Sequence, residues 1–590
     1  MEIRLKTLTP IHIGNGEELT NIDYAVVDNK FYIIPIPRFS NWLLDAEKED
    51  VLDQFVEWSE EKVREIENLE SGRRSAKAKK NIKEQRDYNQ KLIKIRKSYN
   101  LQTFVRGVHL EREWKKWLKQ EIKAIDIGKP HELERGRRNV RNHIRKGVGV
   151  PFIPGTSIKG SIRTALLFNV LENNLSSEQL EAIVEDAFDR AKKAIEKAND
   201  KRKTKDFWQK RLDDTLQHKV FYCPYFDGKK HKEITGEERF DILKFLLVSD
   251  ARIQNENLTL GTVELIDIYL VEKIKENWIA NRQRQGIPAV TIPFNEQCHF
   301  SLDFNISAIY EIYKKLNENG EVKGKEGDRN WKELVTKIKQ VYDLDITKLS
   351  AENLERERVR VVKHVWKCCE TFFMEVIKKE QLWMKNFIDH DEKKSFEAAI
   401  KTGFGIYNQE LDQPFRVGYG SGFNTITEWI HLSKHHPDLM KKIMEYFNIG
   451  DKPGASRRHS KGDTYIANVN RFPKSRRLAT LPDGIYPLGW LAASAAPRAE
   501  ENFVEAIEPI SKEHLKRGAS LAGRVIDNKN GIVEFELSVI EHPIRASVRY
   551  RASFLFPIDA LFQLEIQKVI KKGQDIEVVL SAPNPKKRIE

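Results

Sequence analysis

Val148-Gly149-Val150-Pro151-Phe152-Ile153-Pro154-Gly155-Thr156-Ser157-Ile158-Lys159-Gly160-Ser161-Ile162-Arg163-Thr164-Ala165-Leu166-Leu167 changes character halfway along. The first half is extended and punctuated by proline; the second predicts a helix for which Thr156 or Ser157 is a natural N-cap. That helix can bury Ile158, Ile162, Ala165 and Leu166, while Lys159 and Arg163, four apart, share another face. Two glycines near a lysine and a hydroxyl superficially resemble a nucleotide loop. Lys159 precedes Gly160, however, and a P-loop places its Lys directly after the second glycine, which excludes ATP or GTP hydrolysis here. Backbone N–H groups at a helix start beside two cations suit a phosphodiester. A purely structural cap is the alternative.

Strand followed by helix is the pattern on both sides of this stretch. Ile3, Leu5 and Thr7 alternate with Glu2, Arg4 and Lys6, the period of a half-buried strand that Pro10 ends. Gly14-Asn15-Gly16 predicts a turn. Tyr24–Val27 and Phe31–Ile34, separated by Asp28-Asn29-Lys30, read as a hairpin. From about Ser40 to Gly128 the chain is charged and helix-favouring, with Lys and Arg dense over Ser71 to Asn100. That run is either a solvated helical hairpin or a basic arm along a phosphate backbone. Further on come a helical stretch at about 176–217, β-rich sequence from Phe245 to Val271, and a helical block from about Ile306 to Gly403. In the tail Ile544, Ala546, Val548 and Tyr550 alternate with Arg545, Ser547, Arg549 and Arg551, placing three arginines on one face of a strand.

Composition narrows the function. Lys plus Arg number 101 against 88 Asp plus Glu in 590 residues, a net charge of +13, which favours a polyanionic partner such as nucleic acid. With 40% hydrophobic residues the chain can bury a core, so wholesale disorder is excluded. No apolar window approaches the length of a membrane span and the start lacks a secretory h-region, so a cytoplasmic protein with no membrane association is expected. Four cysteines cannot form a disulfide framework.

Gly418-Tyr419-Gly420-Ser421-Gly422 alternates glycines that let a backbone approach a ligand closely, and Tyr419 could stack on a base. A turn between core elements is the plainer reading. Lys474, Arg476 and Arg477, in Phe472-Pro473-Lys474-Ser475-Arg476-Arg477, fit contacts to a nucleic-acid backbone. His364, Cys368 and Cys369 could share a helix, but no second ligand pair stands at a zinc-site spacing, so no metal and no cofactor are expected. His12 and Asp23 are the acid/base candidates, without an orienting partner.

Taken together, Thr9-Pro10-Ile11-His12-Ile13-Gly14-Asn15-Gly16, the run from Ile153 to Ala165, the Gly418 to Gly422 loop, and the Phe472 to Arg477 segment with Pro487-Leu488-Gly489-Trp490 resemble the RAMP superfamily of CRISPR-associated RNA-binding proteins. Their order and spacing most resemble the subunit that caps the crRNA 3′ end in type III-A Csm effector complexes. The resemblance covers most of residues 1–37 and 138–495 in outline. It implies an α+β fold, a ferredoxin-like (RRM-like) core present as two units, with helical insertions and a small β-rich C-terminal appendage. The domains expected are 1–39 with 129–300 as the core, 40–128 as a basic helical insertion, 301–500 as a helical block with the second unit, and 501–590 as the β-rich appendage.

The same resemblance implies a non-catalytic RNA-binding subunit that takes part in crRNA maturation and antiviral defence. Lys159, Arg163, Gly418, Tyr419, Gly420, Ser421, Gly422, Lys474, Arg476 and Arg477 carry over as its RNA contacts. Expected partners are crRNA, target RNA indirectly, the other Csm subunits, above all the repeated backbone subunit, and recruited host ribonucleases. In related backbone subunits an aspartate near the position of Asp23 serves target-RNA cleavage; here Asp23 is expected to be structural. The alternative is an endoribonuclease that processes crRNA precursor or cuts target RNA with His12 or Asp23.

Overall fold

The computed structural model describes residues 1–79, 81–127, 139–146, 150–198, 212–223, 241–253, 258–271, 277–282, 286–318, 325–389, 405–408, 413–447, 469–470, 472–473, 475–481, 484–495, 520–529, 532–537, 544–549, 561–572 and 575–580. The fold is mixed α+β. Contacts divide the chain into two compact units, Met1 with Ile3–Ser494, and Glu2 with Ala495–Glu590.

Two sheets organise the first unit. In one, the strands Pro414–Arg416, Trp490–Ala495, Glu2–Thr7, Gln297–Phe304, Ala251–Ile253, Val150–Ile153 and Arg145–Lys146 lie in that order. Glu2–Thr7 takes this central place because Ile3, Leu5 and Thr7 are all buried, as its alternation demands. In the other, the order is Gly14–Leu19, Val140–His143, Ile287–Thr291, Thr259–Val271, Ala124–Ile127, Lys30–Ile33 and Tyr24–Val27, with Ser475–Leu481 also pairing with Thr259–Val271. The hairpin turn is two residues long: Asp28 and Asn29 both have positive φ, which suits Asn and Asp, and Lys30 already belongs to the second strand. The turn expected at Gly14-Asn15-Gly16 is instead the start of a strand. An irregular register against Val140–His143 absorbs the glycines.

The helix Gly155–Asn173 buries Ile158, Ile162, Ala165 and Leu166 as its spacing predicts. Its N-cap differs from expectation. Pro154 holds that position without a side-chain bond, and the carboxylate of Asp250 accepts from Gly155 N at 2.9 Å. A methyl at Gly155 would lie 2.5 Å from Val248 O, so glycine is required where the helix begins against a neighbouring backbone. The 36-residue helix Leu354–Asp389 packs on this helix, with Phe168 and Phe372 rings 5.4 Å apart.

Between Ile36 and Glu121 the charged stretch forms the helices Ile36–Asp45, Glu49–Ala78, Ile82–Ser98, Leu101–Gly107 and Glu111–Glu121. Phe39, Phe55, Phe104 and Trp114 build its aromatic core, which is continuous with Ala25, Val27 and Tyr32 of the hairpin. The basic run spans the end of Glu49–Ala78 and the whole of Ile82–Ser98, which pack as a helical hairpin: Arg96 pairs with Glu70 at 2.6 Å, and Gly72 leaves room for the Tyr88 ring. Asn100 caps the Leu101 helix, its side chain accepting from Thr103 N at 2.8 Å. Asn100→Ala is therefore expected to lower stability by about 1 kcal/mol. A urea titration checks this, and an unchanged midpoint would show that the cap bond is not formed.

The second unit is a five-stranded sheet in the order Ile544–Arg549, Ile532–Leu537, Ser520–Lys529, Leu561–Lys572, Asp575–Leu580. Its end strands approach one another, so the sheet curls toward closure. The strand containing Arg545 and Arg549 is present; Arg551 lies outside the described residues.

Candidate nucleic-acid interface

Three segments distant in sequence meet at one point. Gly489 N donates to Pro10 O at 2.9 Å, Val417 N donates to Gly489 O at 2.9 Å, and Tyr419 N donates to His12 O at 2.8 Å. Trp490 N completes the lock by donating to Thr9 Oγ1 at 2.8 Å. The close approach is steric as well as polar. A methyl at Gly418, φ +85°, would lie 2.7 Å from His12 O, and one at Gly489, φ +86°, 2.1 Å from Val417 O. Beneath the loop Arg416 is buried, with Nε donating to Leu488 O at 3.0 Å and Nη2 to Gly420 O at 3.4 Å. Ser161 Oγ donates to Arg416 O at 2.9 Å, tying in the Gly155 helix. Ser421 is itself buried, and its carbonyl accepts from Thr425 Oγ1.

This foundation presents Tyr419. Its ring rests on Val263, Ala289, Ala479 and Leu488 and meets the edge of His12 at 5.7 Å. The guanidinium carbons of Arg141 and Arg477 stand 4.5 and 5.0 Å from its centroid. Among the described residues no carboxylate pairs with either arginine, and Arg477 is exposed. Two guanidinium groups held against one aromatic ring, with no ion pair among the described residues, form a preorganised anion surface, since guanidinium groups bind phosphate through a planar fork.

The other expected contacts are placed differently. Arg476 neighbours Arg477 but points inward, because adjacent side chains of a strand face opposite sides. Its side chain is 6% exposed, and Nε donates to Glu380 Oε2 at 2.8 Å. Arg476, named among the expected RNA contacts, thus lies in a core ion pair. Lys159 Nζ donates to Leu246 O at 2.8 Å, and burial lowers its pKa. Arg163 pairs with Asp241. Both cations anchor the 241–246 segment, and Asp250 already occupies the helix start, so the anion site expected there is filled by the protein's own groups. Lys474 lies outside the described residues. Sequence reasoning misses Arg141, because nothing in its local context separates it from the many arginines around it.

His12 and His143 are buried and tied to backbone. His12 Nδ1 donates to Val290 O at 2.8 Å; His143 Nδ1 accepts from Ile13 N at 3.1 Å, leaving Nε2 to donate to Phe152 O at 3.3 Å. Burial pushes the pKa of His143 down to about 3 and lowers that of His12, so both imidazoles are neutral near pH 7. Asp23 Oδ2 accepts from the backbone N and hydroxyl of Thr20, each at 2.7 Å, and so closes a turn. It lies on the wall of a cleft of about 660 Å³ that also carries Asn15, Glu17, Arg38 and Arg145. His364 and Cys368 do meet at 3.5 Å, and burial pushes the thiol up to about 12, which keeps it protonated.

A model of the RAMP superfamily matches residues 4–423. The CRISPR system Cms protein Csm5 of Methanocaldococcus jannaschii is 28% identical over 213 residues, 35% of this chain and 41% of that protein. The protein of the same name from Streptococcus thermophilus is 26% identical over 167 residues, 28% and 37% of the two. The chain thus spans about two fifths of the length of the curated relatives it matches. A chain in the cryo-EM structure of a Csm-crRNA-target RNA ternary complex of a type III-A CRISPR-Cas system aligns with TM-score 0.46 at 21% identity, covering 84% of this chain and all of that one. The crystal structure of T. onnurineus Csm5 aligns with TM-score 0.43 at 18% identity, covering 83% and 99%.

Proposed function

The chain belongs to the RAMP superfamily, and on that premise we propose that it is an RNA-binding subunit of a type III-A Csm complex, seated at the crRNA 3′ end. Both curated relatives are Csm5 proteins, which supports the assignment to that complex. The observation that carries RNA binding is the pair of arginines on Tyr419, neither of which forms an ion pair among the described residues. They grip phosphates while the glycine loop keeps the backbone close, so recognition is of the RNA backbone and sequence is left to guide–target pairing. Its partners are crRNA, the repeated backbone subunit beside it and, through the guide, target RNA. The residues that carry this role are Tyr419, the Gly418–Gly422 loop, Arg141 and Arg477.

Arg141→Ala with Arg477→Ala is expected to weaken single-stranded RNA binding and flatten its salt dependence. The slope of log K against log salt should fall by about 0.7 for each phosphate that the variant no longer neutralises. Filter binding over a salt series checks it, and an unchanged slope would reject the surface. Sequencing the small RNAs that co-purify with the complex, with and without this chain, checks the 3′-end role, for which discrete ends should lengthen or vanish when it is absent. An Asp23→Ala complex that alone loses RNA cleavage would replace this reading by the nuclease one.

A further inference from the structure

The Gly155–Asn173 helix and the short helix Trp429–His435 bring three potential ligands together. His431 and His435 are four apart, so both imidazoles project from one face, with ring centres 4.6 Å apart. Glu172 stands opposite. Its Oε1 lies 3.0 Å from His431 Nδ1 and 3.2 Å from His435 Nε2, and its Oε2 is also 3.2 Å from His435 Nε2. The three donor atoms fall within 4.8 Å of one another.

We propose that Glu172, His431 and His435 form a binding site for one divalent transition-metal ion of zinc's class. Two imidazoles at i and i+4 with one carboxylate supply three N and O donors, and zinc accepts this set while keeping a fourth position for water. A ligand-to-metal distance near 2.0–2.2 Å asks donors to stand about 3.2–3.5 Å apart, which the carboxylate meets to within a few tenths of an ångström at each imidazole, the whole donor set lying within 4.8 Å. The first ligand is held in place. His431 is 5% exposed and packs against Phe168, which fixes the direction of its ring. The others are open to solvent: Glu172 is half-buried and His435 exposed, which gives an ion a way in. Lys434 Nζ, 3.5 Å from Glu172 Oε1, is the competing cation; its side chain is half exposed and free to swing away. His436 lies beside the cluster, its ring 6.5 Å from that of His431.

The test titrates the full-length chain, stripped with chelator, with Zn²⁺ in competition with a chromophoric indicator, and with Co²⁺ while following visible d–d absorption. The expected result is one equivalent bound, with His435→Ala and Glu172→Gln each weakening affinity by on the order of tenfold or more. His435 is exposed at the end of its helix, so His435→Ala leaves the fold intact, and its circular dichroism spectrum verifies this. Absence of a one-to-one complex, or equal Zn²⁺ affinity in wild type and both variants, overturns the site and leaves the cluster as a hydrogen-bonded clamp between two helices. Tetrahedral-type Co²⁺ absorption that disappears in His435→Ala supports it.

Discussion

Arg476→Ala should destabilise the protein by about 3–5 kcal/mol, the cost of stranding a buried carboxylate. Glu380 is 3% exposed on its side chain and Arg476 6%. Burial alone would raise the pKa of Glu380, but the charges of Arg476 and Arg416 outweigh it and hold the carboxylate below its ordinary range. Arg476 does more than neutralise. Its Nη1 donates to Pro473 O at 2.6 Å and Ser475 O at 3.0 Å, and its guanidinium carbon stands 5.0 Å from the Trp383 ring centre. Once it is removed, Glu380 Oε1 keeps the bond from Asn424 Nδ2 at 3.2 Å and the charge of Arg416, which makes no direct ion pair with it, and the lost guanidinium bonds leave the ion short of partners. Arg476→Met combined with Glu380→Leu should recover part of the loss, since an apolar pair of similar volume often replaces a buried ion pair at little cost, but not all of it, because Glu380 also balances the buried charge of Arg416. Urea unfolding of both variants measures this. A loss below about 1 kcal/mol for Arg476→Ala would mean that water reaches Glu380 and the pair is a surface one.

Arg476 and Arg477 also show where the sequence stops being readable. Both belong to one basic run and look alike as RNA contacts; strand register sends one into the core and leaves the other exposed. Register is fixed by pairings such as Ala479 with Val263 and Leu478 with Pro487, the first of them between segments far apart in the chain. Local signals fare better. The alternation of Glu2–Thr7, the hairpin at Asp28-Asn29 and the buried face of the Gly155 helix follow from periods and turn chemistry within a few residues. The glycine loop is legible as a loop, but its lock onto Pro10 and His12 is not. Lys159 and Arg163 suggest an anion site because a sequence shows charges and not their partners; Asp241, Asp250 and Leu246 O take up the cations and the helix start.

The lock itself is testable through Gly489→Ala, with Gly160→Ala as the matched control. At Gly489 the backbone has φ +86°, a region an alanine occupies at a cost of about 1–3 kcal/mol. The added methyl would also stand 2.1 Å from Val417 O, and no flexible side chain is there to yield. Relieving that overlap means moving the Val417 carbonyl, adding about 1–3 kcal/mol of overpacking. The displacement propagates along a short path, because Val417 N is bonded to Gly489 O and Tyr419 N, two residues on, to His12 O. Tyr419 then leaves Arg141 and Arg477, and RNA affinity falls together with stability. Gly160 carries the opposite expectation: it sits in the interior of the Gly155 helix with nothing within 4 Å of an added methyl. Gly160→Ala should therefore be neutral or stabilising by up to about 1 kcal/mol. Thermal melts and filter binding on the two variants decide the matter. A Gly489→Ala protein that melts and binds RNA like wild type would show that the 417–420 loop is not held by the Pro10–Gly489 contact, and that Tyr419 owes its position to the sheet beneath it.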